Sequence, residues 1–117
     1  MDQEKVDYIF NYFGKLMTDH EARAWRHYSS EFKLTHGGKK EANERMRNFY
    51  LERGLITNDL EVTKLLDNGF DKFKENVVKR ILNQNPDKVY FNLCPNCSKL
   101  ARTPLARQCR YCGYDWH

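Results

Sequence analysis

The sequence predicts a mainly α-helical fold, with a small four-helix bundle at residues 1–84, a linker at 85–87 and a four-cysteine tail at 88–117. Apolar residues recur at steps of three and four through most of residues 1–84, which is typical of amphipathic helices. This pattern ends at Pro86. The residues around it are polar, and the residue before a proline disfavours the helical backbone conformation. All four cysteines follow, in the tail.

The first two predicted helices are separated by a capping box. Thr18 and Glu21 have the spacing at which each side chain satisfies a free backbone N–H, so we expect a second helix at about 19–34. Gly37 and Gly38 are expected to end it. The apolar stripe of the first helix comprises Val6, Ile9, Phe10, Phe13, Leu16 and Met17, and that of the second comprises Ala22, Trp25, Tyr28, Ser29 and Phe32.

The third predicted helix, at about 39–53, ends at Gly54, whose left-handed conformation would let Leu55 fold back on the last turn. The fourth starts at Asn58, with Glu61 completing a second capping box. Its apolar phase continues across Gly69, so we expect one long helix to about residue 84, with at most a kink. The expected bundle core comprises Phe10, Phe13, Trp25, Phe32, Phe49, Leu66, Phe70, Phe73 and Val77.

The cysteines form two pairs, Cys94-Pro95-Asn96-Cys97 and Cys109-Arg110-Tyr111-Cys112, with eleven residues between them. Each turn brings two thiolates to one ion at about 2.3 Å, and two such turns complete the tetrahedron that Zn²⁺ prefers. Four thiolates leave no open coordination position, which is how structural zinc is held. The sequence therefore predicts a structural zinc ion bound by Cys94, Cys97, Cys109 and Cys112.

Two disulfides, or an iron ion in a similar cage of four thiolates, are the alternatives to zinc. The chain opens Met1-Asp2-Gln3-Glu4-Lys5, without the basic and apolar regions of a secretory signal, so we expect a cytoplasmic protein with reduced thiols. Nothing in the sequence argues for the redox tuning of an iron site. No apolar run approaches the roughly 20 residues of a membrane span, so we expect no membrane partner.

The tail resembles the small zinc-ribbon modules that are common in bacterial proteins. The resemblance is carried by the two cysteine pairs, a connector with Pro104 and Ala106, and Gly113 after the last cysteine. It implies a ribbon fold and a metal ion, but no particular function. Ser98 stands where these ribbons usually place a glycine. A strand before the first cysteine turn is predicted by the alternating residues Val89, Phe91 and Leu93.

The formal net charge of +4 lies entirely in the tail. Residues 1–87 carry 15 basic and 15 acidic residues, whereas the tail carries five basic residues and only Asp115 as an acid. Four thiolates around one Zn²⁺ contribute a charge of −2, so the metal-loaded tail has a charge of about +2. This is far below the charge expected of a dedicated nucleic-acid-binding surface.

We therefore expect a non-catalytic adaptor, or protein-interaction protein, whose partner is another protein. The alternative is a nucleic-acid-binding regulator, since aromatic rings beside cations can stack bases and hold phosphates. We do not expect an enzyme, because the sequence has no glycine-rich phosphate loop and no nucleophile motif, and its histidines are scattered. The candidate partner-binding residues are Lys99, Arg102, Arg107, Arg110, Tyr111 and Trp116.

Overall fold

The structure is a computed structural model that describes residues 2–36 and 40–117. Within these residues the chain forms five α-helices and no sheet, which confirms the mainly α-helical class. Gly37 and Gly38, which were expected to end the second helix, lie outside the described residues. The helices are α1 (Gln3–Tyr12), α2 (Asp19–His36), α3 (Lys40–Glu52), α4 (Leu60–Thr63) and α5 (Phe70–Gln84).

The predicted caps of α2 and α3 are present. The Thr18 backbone N–H donates to Glu21 Oε1 at 2.9 Å, and the Glu21 N–H donates to Thr18 Oγ1 at 3.2 Å, which is a complete capping box. After α3, Gly54 has a φ of +73° and the Leu55 N–H donates to the Tyr50 carbonyl at 2.9 Å. The glycine therefore ends α3 in the predicted way.

The prediction of one long fourth helix is wrong, because the structure divides this segment into α4 and α5. Asp59, rather than Asn58, caps α4 by accepting a hydrogen bond from the Glu61 N–H at 2.9 Å. A 3₁₀ turn follows, and Gly69 then adopts a φ of +91° before α5 begins at Phe70. Because a 3₁₀ turn holds about three residues, the apolar spacing survives this break, and periodicity alone does not reveal it.

The chain groups into two compact units. The terminal unit contains Met1–Leu16 and Lys74–His117, and the central unit contains Met17–Phe73. These units differ from the predicted domains at 1–84 and 88–117, because α1 and most of α5 group with the tail. The division into domains at 1–84 and 88–117 stays a prediction.

In the central unit, α2 packs against α3 and α4. The Arg47 guanidinium on α3 donates two hydrogen bonds to the Glu31 carboxylate on α2, at 2.5 and 3.0 Å. His27 Nδ1 accepts a hydrogen bond from the Thr57 backbone N–H at 3.0 Å, which attaches the segment before α4 to α2. The buried apolar residues of this unit are Ala24, Leu34, Ile56, Val62 and Phe73.

Three predicted core residues, Trp25, Phe32 and Phe49, are exposed. The buried residues of α2 are instead Glu21, Ala24, Ser30 and Leu34. None of these four residues belongs to the predicted stripe, so the predicted face of α2 is wrong. Tyr28 stacks on Phe70, with ring centroids 4.3 Å apart, so the aromatic rings of the predicted stripe largely contact one another. The predicted core residues that are buried are Phe10, Phe13, Phe73 and Val77, whereas Leu66 and Phe70 are half-buried.

In the terminal unit, α1 and α5 contribute most of the core. The Lys74 ammonium on α5 pairs with the Asp7 carboxylate on α1 at 2.5 Å, and the Arg80 guanidinium donates to the Leu16 carbonyl at 2.9 Å. The buried apolar residues on these two helices are Val6, Tyr8, Ile9, Phe10, Val77, Val78 and Ile81.

The predicted strand at 89–93 is absent. Within the described part of the tail, the β-pairing consists of two isolated bridges, Leu93 with Leu100 and Gln108 with Asp115. Alternation of residue types predicted a strand, but this segment is instead held by the side chain of Tyr8, as described below. The cysteine turns follow directly from these two bridges.

Candidate metal centre

The two cysteine turns have the same backbone construction. The Ser98 N–H donates to the Cys94 carbonyl at 2.8 Å in the first turn, and the Gly113 N–H donates to the Cys109 carbonyl at 3.0 Å in the second. Ser98 has a φ of +65° and Gly113 a φ of +78°, so the residue after each pair is left-handed. Ser98 therefore occupies a left-handed backbone position that glycine adopts more readily, because a side chain there costs energy.

The four sulfur atoms converge on one point. Every pair of them lies within 4.8 Å, and the closest pairs are Cys97 with Cys109 at 3.5 Å and Cys94 with Cys112 at 3.7 Å. Four sulfurs at about 2.3 Å from one ion would form a tetrahedron with edges of about 3.8 Å. The cluster is therefore compatible with a metal ion such as zinc, and the chemistry of four thiolates favours a soft or borderline ion.

Backbone N–H groups point at the first sulfur of each pair. The N–H groups of Asn96 and Cys97 lie 3.4 and 3.5 Å from Cys94 Sγ. In the second turn, those of Tyr111 and Cys112 lie 3.3 and 3.4 Å from Cys109 Sγ. These donors favour the negatively charged thiolate, which is the form that binds a metal ion.

The pKa values of the thiols are shifted in different directions from the usual value of a cysteine. Donation from the Cys112 N–H lowers the pKa of Cys109 to about 7, although burial opposes it. The Tyr114 N–H and then the Asn96 amide lower the pKa of Cys112. The Lys99 N–H acts to lower the pKa of Cys97, but burial and the other thiols outweigh it and raise that pKa to about 11. A bound cation would remove this conflict, because it stabilises every thiolate at once.

The candidate partner-binding residues are only partly available. The Arg110 guanidinium pairs with the Glu4 carboxylate at 2.8 Å and lies 5.0 Å from the centroid of the Tyr111 ring. The Lys99 ammonium lies 4.8 Å from the same ring. Two of the predicted cations are therefore engaged within the chain. Arg102 and Arg107 are exposed, and Trp116 stacks on Tyr114.

Tyr8 on α1 holds the tail, a role that was not predicted from the sequence. Its buried hydroxyl donates to the Tyr90 carbonyl at 3.0 Å and accepts from the Asn92 N–H at 3.2 Å. Its ring contacts Phe91, with centroids 5.8 Å apart. A buried tyrosine usually finds a hydrogen-bond partner, but a single sequence does not show which group provides it.

Asn92 holds the connector between the cysteine turns and was also missed. Its side-chain amide donates to the Thr103 carbonyl at 3.0 Å and to the Ala106 carbonyl at 2.8 Å. Its own carbonyl accepts from the Ala101 N–H at 2.8 Å. Tyr8 and Asn92 thus link α1, the approach to the first turn and the connector.

Comparisons with protein-family models, with curated proteins and with solved structures found no match. Among the described residues, no helix combines the length and the apolar character needed to cross a membrane.

Proposed function

We propose that the chain is a non-catalytic adaptor whose tail is a zinc ribbon, with one structural Zn²⁺ bound by Cys94, Cys97, Cys109 and Cys112. The convergence of the four sulfurs within 4.8 Å carries this proposal. Structural zinc contributes on the order of 10 kcal/mol to the folding of small modules. The β-pairing of the described tail is limited to two isolated bridges, so such a contribution would stabilise its two cysteine turns.

The closed set of ligands supports a structural role for the metal ion, because four thiolates leave no position for a substrate or a reactive water. Two of the four histidines contact the backbone, which supports a non-catalytic protein. His27 Nδ1 accepts a hydrogen bond from the Thr57 N–H, and His36 Nδ1 lies 2.9 Å from the Phe32 carbonyl oxygen.

Cobalt substitution tests whether the metal site is closed. Co²⁺ in place of Zn²⁺ reports its ligands through its visible absorption, and we expect a spectrum typical of four thiolates that excess azide or imidazole does not change. Cys109→Ser is the matched control, because the loss of one thiolate should prevent the four-thiolate spectrum from appearing at one cobalt ion per chain. A wild-type spectrum that responds to azide would reveal an open position and contradict the structural role.

A protein partner is better supported than nucleic acid, because Arg110 is paired with Glu4 and both Arg110 and Lys99 lie against Tyr111. The test is retrieval of the tagged chain from native lysate with and without nuclease. We expect a protein to remain bound after nuclease treatment. Loss of all bound material to nuclease would favour the nucleic-acid-binding regulator instead.

A further inference from the structure

The terminal unit contains an open groove of about 520 Å³ whose lining includes none of the four cysteines. It is lined by Tyr12 at the end of α1 and by Phe13 and Lys15 just after it, together with Lys88, Tyr90 and Leu105. This volume lies within the range of sites that bind peptides and small molecules.

Hydrogen bonds outside the groove hold its walls in place. Tyr8 binds the Tyr90 carbonyl, which fixes the strip of chain beside α1. Asn92 binds the carbonyls of Thr103 and Ala106, which flank Leu105 and position this part of the connector. The groove is therefore preformed, and a ligand would not have to order it.

The groove exposes an unusual amount of apolar surface. Leu105 is 84% exposed, and the rings of Tyr12 and Tyr90, 47% and 55% exposed, lie at the same groove. Single exposed apolar residues are ordinary, but a contiguous group around a concave site marks an interaction surface. Tyrosine is also among the residues that dominate binding energy at protein interfaces.

The charges at the groove have one sign. Lys15 and Lys88 lie at its edge, no carboxylate lines it, and neither lysine forms an ion pair within the described part of the chain. Other lysines do form such pairs, for example Lys74 with Asp7 and Lys79 with Glu75. An apolar ligand flanked by negative charges would complement this surface.

We propose that this groove binds an acidic protein segment in which an aromatic or leucine side chain is flanked by carboxylates. The proposal rests on the adaptor function and adds the chemistry of the partner. The apolar side chain enters between Tyr12 and Leu105, and the carboxylates meet Lys15 and Lys88. A peptide is favoured over single-stranded nucleic acid because Leu105 gives an aliphatic wall that cannot stack on bases, and because two lysines neutralise few phosphates.

Selection from a library of short random peptides, displayed on phage and offered to the zinc-loaded full chain, tests this proposal. We expect enrichment of peptides in which Phe, Trp or Leu lies close to two or more acidic residues. An enriched peptide should lose about tenfold in affinity to Leu105→Asp, because a hot-spot side chain typically contributes more than 1 kcal/mol. The double variant Lys15→Glu, Lys88→Glu should lose a similar factor.

Matched controls lie in the central unit. Leu60 is 78% exposed and Lys33 is exposed, so Leu60→Asp and Lys33→Glu introduce the same chemistry away from the groove and should leave the affinity within about twofold. Enrichment of neutral or basic peptides, no enrichment, or equal losses in the control variants would overturn the proposal. So would binding of a mixed-sequence single-stranded DNA that Leu105→Asp and the lysine variant abolish, since the groove would then bind nucleic acid.

The outcome for the groove can be separated from that for the adaptor. If the groove variants still retain a nuclease-resistant protein partner from lysate, the groove assignment is wrong and the adaptor function stands. If the wild type retains only nuclease-sensitive material, the adaptor function itself is wrong.

Discussion

Replacing Tyr8 by phenylalanine removes one oxygen atom that joins α1 to the tail. That hydroxyl makes two hydrogen bonds, to the Tyr90 carbonyl and from the Asn92 N–H, and the Tyr8 residue is only 3% exposed. Each bond contributes about 0.5–1.5 kcal/mol net. Because Tyr90 is exposed, water can partly replace the bond to its carbonyl, so we expect a loss of about 1–2 kcal/mol in the free energy of unfolding.

Urea unfolding of the zinc-loaded chain measures this loss, and hydrogen exchange of the tail amides locates it. Small proteins lose roughly 1 kcal/mol of stability per molar urea, so the midpoint should fall by about 1–2 M. Tyr12→Phe is the matched control on the same helix, because Tyr12 is half-exposed and its hydroxyl makes no hydrogen bond in the described structure. Its effect should stay below about 0.5 kcal/mol.

Alkaline pH provides a second measurement of the same bond. Burial raises the pKa of Tyr8 above its usual value of 10.0, although the Asn92 N–H opposes this effect. The neutral phenol therefore stabilises the fold fully below pH 10.0, and this stabilisation is lost as the pH rises through the higher pKa of the folded state. The difference between wild type and Tyr8→Phe should shrink above pH 10.0. Equal midpoints for both tyrosine variants, or a constant difference across this range, would refute the role of Tyr8.

Three further predictions concern the cysteine turns and the central unit. Ser98→Gly should stabilise the zinc-loaded chain by about 0.5–1 kcal/mol in thermal unfolding, because glycine removes left-handed strain, and Gly113→Ser should destabilise it similarly; the same sign for both would contradict this. Donation from Arg47 lowers the pKa of Glu31 below its usual 4.5, so the pair stabilises the fold above pH 4.5 and less as the pH falls through the lowered pKa. In pH-dependent urea unfolding, Glu31→Gln should remove about 0.5–1 kcal/mol of this acid-sensitive stability, since the pair is partly exposed, and identical profiles would argue against the pair. Phe73 is 2% exposed, so Phe73→Ala should lower the free energy of unfolding in urea by about 3–5 kcal/mol. A loss below about 1 kcal/mol would show that the ring is not part of the core.

The local features of the fold were largely predictable from the sequence. Thr18 with Glu21, and Gly54 after α3, act through neighbouring backbone groups, so the sequence alone contains both partners of each cap. The cysteine spacing predicted the sulfur cluster for the same reason, and Ser98, at the position after the first cysteine pair, has a left-handed backbone like that of Gly113.

The features that depend on distant residues were not predictable. The stripe of large aromatic residues on α2 suggested a core, but the helix buries the smaller Ala24 and Ser30, because the choice of face depends on α3 and α4. The break between α4 and α5, which includes Gly69, does not disturb the apolar spacing. Tyr8 and Asn92 are more than 80 residues apart, and no sequence pattern pairs a hydroxyl with a backbone group at that distance.

The central claim is that the four cysteines hold one structural zinc ion. Native mass spectrometry of the purified chain under reducing conditions, with elemental analysis of the same sample, tests it most directly. We expect one zinc ion per chain and no disulfide. In Cys109→Ser we expect loss of stoichiometric zinc and of protected tail amides, while most of the helical signal remains. Iron in place of zinc, disulfides that persist under reduction, or a full zinc equivalent in Cys109→Ser would contradict it.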